Sequence, residues 1–129
     1  MEYECIYNSE LDTIEAATRG TADKEVLLSV LRRVAALCGQ HESANILVDY
    51  SRLDAKQITW EDLETLSREM AVIQDAFKRR KCANIVMADY QFGLVRTWEI
   101  MIGVKDCMEM ETGVFRKRDE AVAWLRAVA

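Results

Sequence analysis

The chain contains no proline, one histidine and five glycines in 129 residues. Without proline there is no polyproline segment and no proline-marked linker, so nothing in the composition divides the chain. The single histidine, His41, and four cysteines set tens of residues apart (Cys5, Cys38, Cys82 and Cys107) offer no Cys-x-x-Cys pair. That spacing removes the usual zinc patterns, and no metal or other cofactor is expected. No apolar run approaches the ~20 residues of a membrane span. The start, Met1-Glu2-Tyr3-Glu4, is acidic and has the form of neither a secretory signal nor a transit peptide. An excess of positive charge is also missing. The net charge is −5 and the pI about 5.0, which opposes nucleic-acid binding, since phosphate neutralisation needs a basic face. The expected location is cytoplasmic, with the cysteines as reduced thiols inside apolar stretches.

What remains is material for a core. Half of the residues are hydrophobic and 30% are charged, within the size of one domain spanning 1–129. A chain of this length buries roughly two thirds of its unfolded surface. Strand-friendly residues flank Asn8-Ser9-Glu10, which predicts a hairpin with strands near Tyr3–Tyr7 and Thr13–Thr18. Asp23 then caps a helix whose apolar face is Val26, Leu27, Val30, Leu31, Val34 and Leu37, with Gly39 as its left-handed C-cap. Thr59 caps a second helix, with Glu61 and Asp62 in its first turn and Lys78–Lys81 at its carboxyl end, where the helix dipole favours cations. Leu94, Val95, Trp98, Met101 and Ile102 mark a third helix ending near Gly103. "CMEMETGVF" reads as a strand, and Asp119 caps a last helix with Ala121, Trp124, Leu125 and Val128 facing in.

Two nearly identical phrases, "ANILVDY" from Ala44 and "ANIVMADY" from Ala83, each follow a helix. They read as two neighbouring strands of a parallel sheet, covered on both faces. The order is β-β-α-β-α-β-α-β-α. It predicts an α/β fold: one mixed sheet with an N-terminal hairpin, β-α-β units and about four helices.

No catalytic constellation stands out. Asp49 and Asp89 end the two repeated phrases, at the carboxyl edge where open α/β sheets bind ligands. They could hold a divalent cation with a phosphorylated substrate, but no phosphate loop accompanies them, so loop hydrogen bonding is the preferred reading. Tyr90, Phe92, Arg96 and Trp98 form a candidate ligand pocket, with aromatic walls and one cation. Thr59, Trp60 and Glu61 form a candidate partner surface, Trp being frequent at interface hot spots. The basic runs Lys78–Lys81 and Arg116–Arg118 read as a helix end and a solvated turn, and His41 reads as a surface residue.

Ile46-Leu47-Val48-Asp49, "FGLVRTWE" and "GVFRKRDEAVAWL", in this order along nearly the whole chain, resemble the SpoIIAA-like family. That family is related to STAS domains, the sulfate-transporter and anti-sigma-factor-antagonist modules. The resemblance implies helices packed on one mixed sheet. It also implies a regulatory or protein-interaction module whose partner surface is the helix beginning at Thr59. In STAS regulators an Asp-Ser-Ser-Gly pattern carries the phosphorylated serine. Here the matching region reads "DAKQITWEDL", and Thr59 is the hydroxyl nearest the helix start. A link between this group and lipid-carrying SEC14-type domains implies an apolar ligand as the alternative. The expectation is a non-enzymatic module that docks a protein or forms a dimer. The alternative is a carrier or sensor of a small apolar ligand, and an enzyme using Asp49 and Asp89 comes last.

Overall fold

The computed structural model describes residues 1–104 and 109–127. Cys107, the beginning of the "CMEMETGVF" segment and Val128 lie outside the described residues. The elements are β1 (Glu2–Asn8), β2 (Thr13–Thr21), α1 (Lys24–Gln40), β3 (Asn45–Asp54) and α2 (Trp60–Val72). A 3₁₀ turn (Gln74–Phe77), β4 (Lys81–Ile85), α3 (Asp89–Val104), β5 (Glu111–Phe115) and α4 (Arg118–Arg126) complete the chain.

The five strands lie in sequence order. β1 and β2 are antiparallel, and every later pair is parallel. The two-residue alternation of each strand sorts the core into two faces. Ile14, Ala16, Ile46, Val48 and Cys82 point to one side, against Val30, Val34, Leu37 and Cys38 of α1, Met70 of α2 and Ile102 of α3. Leu47, Ala83 and Ile85 point to the other, against Ala121 and Leu125 of α4. Three crossover helices therefore share one face, while α4 covers the other. Gly113 in β5 permits that second contact, because a Cβ there would stand 2.9 Å from the Phe115 ring and 3.5 Å from Trp124.

The caps explain where helices begin. Asp23 accepts from the amides of Glu25 and Val26, and Thr59 closes a capping box with Asp62 at the start of α2. α3 starts by other means. Gln91, in its first turn, accepts from the amides of Met87 and Ala88 and donates to the carbonyls of Tyr50 and Leu53. One side chain thus caps a helix and ties it to β3.

Several expectations are corrected. Gly39 lies within α1, and the C-cap is His41, whose ring stacks on Tyr7 at 3.5 Å instead of facing water. α2 ends at Val72, so Lys78–Lys81 are not its last turn. Asp119 lies inside α4, whose N-cap is Lys117. The first repeated phrase continues as strand to Asp54: β3 takes up one extra residue opposite Thr18, and β2 then pairs with Arg52, Leu53 and Asp54. The second phrase leaves the sheet at Ile85, and Asp89 opens α3. The phrases are also out of step. Ala83 pairs with Leu47 rather than with Ala44, so Asn45 and Asn84 point to opposite faces.

Candidate functional site

An apolar cavity of about 90 Å³ lies where α1, α2 and α3 converge over the carboxyl half of β3. Its walls are built by helical spacing. Leu27, Val30 and Leu31 come from α1, Leu63 and Leu66 from α2, and Gln91, Leu94, Val95 and Trp98 from α3. Tyr50 and Leu53 of β3, with Ala55 and Ile58 beyond it, form the remainder. Gln91 brings an amide to the wall, but its oxygen and nitrogen are engaged by backbone groups. Tyr50 contributes a phenol whose hydroxyl makes no hydrogen bond among the described residues. Burial pushes that phenol well above its ordinary range, with the Cys82 sulfur and the Glu99 carboxylate adding to the effect. It is therefore a neutral hydroxyl at physiological pH.

Of the four residues expected to line a ligand pocket, the structure places Trp98 in this wall. Tyr90 is not in the lining, and its hydroxyl donates to the Leu53 carbonyl and accepts from the Ala55 amide. Phe92 is exposed, with the Arg116 guanidinium 5.6 Å above its ring. Arg96 pairs with Glu99 at 3.0 Å. Tyr50 and Gln91 are not singled out by the sequence, and the leucines of α1 and α2 stand out in it only as inward-facing apolar residues. Each leucine reads as ordinary core, and no local pattern says that three helices leave a space between them.

The expected partner surface is exposed. Trp60 is 60% accessible, its indole donating to Glu64 at 2.8 Å, and Glu61 is exposed beside it. The Thr59 hydroxyl is engaged, accepting from the Asp62 amide at 3.1 Å.

Asp49 and Asp89 do not form a pair. Asp49 lies within β3, on the α4 side, and accepts from the Ser51 amide at 2.8 Å. Asp89 is 99% exposed and accepts from Arg116 at 2.8 Å. The strands run in sequence order with their three crossovers on one face. The winding never reverses, and no switch-point crevice forms at the carboxyl edge. Among the described residues no three His, Cys, Asp or Glu side chains cluster as a metal site, and no helix is long and apolar enough to cross a membrane.

The basic runs are dispersed. Lys78 pairs with Asp75, Arg79 turns the chain at φ 64°, and Arg80 is buried among carbonyls. Lys81 donates to the carbonyls of Trp124 and Ala127 at the end of α4. Arg116 serves Met87 and Asp89, and Arg118 serves Glu15. Of the thiols, Cys38 and Cys82 are buried and Cys5 half-buried, and none of the three is bridged. Burial raises all three, and the Cys82 thiol is pushed up to about 12 by burial and then by Glu99 and Cys38. A nucleophile would need the reverse.

No family model matches the chain, and no curated protein matches its sequence.

Proposed function

We propose that the chain is a non-enzymatic binding domain for a small apolar molecule, held between α1, α2 and α3. The observation that carries this reading is the cavity of about 90 Å³ with an almost wholly hydrocarbon lining. Apolar surface that such a pocket leaves facing water is favourably covered by an apolar guest, at about 25 cal/mol per Å². An occupant recovers the missing contacts. Apolar cavities stay dry and take up apolar guests, as an engineered void of roughly 150 Å³ takes up benzene. The smaller volume here suits a short alkyl group. The likeness to the SpoIIAA-like family and its lipid-carrying relatives points the same way.

Ligand-linked stability provides the test. At ten times its Kd, n-pentane should raise stability by about 1.4 kcal/mol, read as a higher urea midpoint at 25 °C. An unchanged midpoint up to the solubility limit of the alkane would sink the reading.

The exposed Trp60 favours a second reading, in which the start of α2 docks a protein partner or a second copy. If Trp60→Ala and Glu61→Lys leave every captured partner and the oligomeric state unchanged, that surface is not an interface.

A further inference from the structure

The cavity wall has few polar groups, and none of the described lining residues is charged. Gln91 has no capacity left. Its oxygen accepts from the amides of Met87 and Ala88, and its nitrogen donates to the carbonyls of Tyr50 and Leu53. Two side chains of the wall have no hydrogen-bond partner among the described residues: the Tyr50 hydroxyl and the Trp98 indole N–H. Strand alternation sends Tyr50 to the same face as Ile46 and Val48, into the helical layer where the cavity lies. Its hydroxyl is not sealed there. Among the described residues, the sealed side-chain oxygen or nitrogen without a partner is Glu99 Oε2, which is not in the wall. The Tyr50 oxygen thus keeps accessible surface, on a side chain that lines the cavity. An indole N–H can only donate, and a phenol with no acceptor beside it is a donor left over in an apolar wall. The unused polar capacity of the chamber is donor capacity.

We propose that the ligand is a small neutral molecule with a hydrogen-bond acceptor and no donor, a ketone or an ester, whose carbonyl oxygen accepts from the Tyr50 hydroxyl. The other polar classes leave a group unmatched. A carboxylate finds no cation in the lining, and an ammonium would bring three donors to a wall of leucines. An alcohol can serve Tyr50, but in a pair of hydroxyls one proton is left without an acceptor, since the Gln91 oxygen is already engaged twice. A carbonyl brings lone pairs and no proton. This inference rests on the reading of the cavity as a ligand site and adds the chemistry of its polar group.

The test compares 2-butanone with 2-methylbutane, which has a methyl group in place of the carbonyl oxygen, by titration of the ¹⁵N-labelled chain. Tyr50→Phe should weaken 2-butanone about tenfold, the effect of one lost hydrogen bond, and leave 2-methylbutane binding as it was. 2-Butanol should bind wild type less tightly than 2-butanone. The infrared carbonyl band of 2-butanone bound to wild type should lie below its position in hexane, as that of a hydrogen-bonded carbonyl does. This last reading needs no variant, so it keeps the test open if Tyr50→Phe fails to fold. If Tyr50→Phe weakens both compounds equally or neither, if 2-butanol binds as tightly as 2-butanone, or if the band stays at its hexane position, the carbonyl inference is wrong. The cavity reading then stands as long as 2-methylbutane binds. If neither 2-butanone nor 2-methylbutane binds, both fall.

Discussion

Arg80 is the residue on which most local structure depends. Its guanidinium donates to the carbonyls of Cys38, His41, Ala44 and Ala76, closing the end of α1, the loop into β3 and the 3₁₀ turn with one buried side chain. Arg80→Met leaves those acceptors without a charged donor. It should cost about 3 kcal/mol or more in urea unfolding, whereas Lys78→Ala, at an exposed ion pair, should stay within about 0.5 kcal/mol. The carboxylates make a prediction in pH. Hydrogen bonds from Ser43 and Tyr7 hold Asp12 below its ordinary range, and Arg118 and Asn8 do the same for Glu15. With folded values depressed, the native state binds fewer protons than the unfolded chain at moderately acid pH. Their stabilisation is present above the ordinary carboxylate range and is lost as pH falls through the lowered values. Asp12→Asn with Glu15→Gln should therefore flatten the acid limb of the stability–pH curve and leave its slope at neutral pH unchanged. For the thiols, Cys38 and Cys82 should resist a disulfide reagent at pH 8 in the folded protein and react promptly in urea.

Among the elements, the capping box of α2 gives a clean test. Thr59→Ala removes the acceptor for the Asp62 amide and should cost about 1 kcal/mol. The same box shows what could be read from the sequence. Thr59 and Asp23 announce their helices because a cap is a local arrangement of a few residues. The apolar spacing in α1 and α3 is likewise local. What could not be read depends on distant partners. Ser51–Asp54 looks like a polar loop, yet it is strand because β2 is present alongside to pair with it. Lys78–Lys81 looks like a helix end. It is instead a turn, a buried clasp and the first residue of β4, because the carbonyls that attract Arg80 and Lys81 belong to α1 and α4. Gln91 as a helix cap was missed because its other partners lie about forty residues earlier, on β3.

Over the whole molecule, the sheet is wound in one direction. Three helices lie side by side on one face, and the space where they meet becomes the cavity. This accounts for the split between the candidate sites. Asp49 within β3 and Asp89 at the start of α3 have no crevice to share, whereas the helical layer leaves a cavity that no single segment foretells. Trp98 could be named from the sequence as a large residue on an inward stripe. Its partners across the cavity could not, since a leucine beside a void and a leucine in a packed core look alike in sequence. Filling the chamber should stabilise the fold and abolish binding together. Val30→Leu with Val95→Leu adds two methylene groups to the lining, each worth about 0.8 kcal/mol when buried. The double variant should gain about 1 kcal/mol in urea unfolding and lose its response to n-pentane.

The most direct measurement is a titration of the ¹⁵N-labelled protein with n-pentane, followed on its three indole N–H signals, those of Trp60, Trp98 and Trp124. Of these, Trp98 lines the cavity, Trp60 stands in solvent and Trp124 packs against Phe115. A ligand in the cavity should shift the Trp98 signal alone, to saturation, and the shift should be absent in the filled variant. A Trp98 signal that stays in place, or three signals drifting together without saturation, would contradict it.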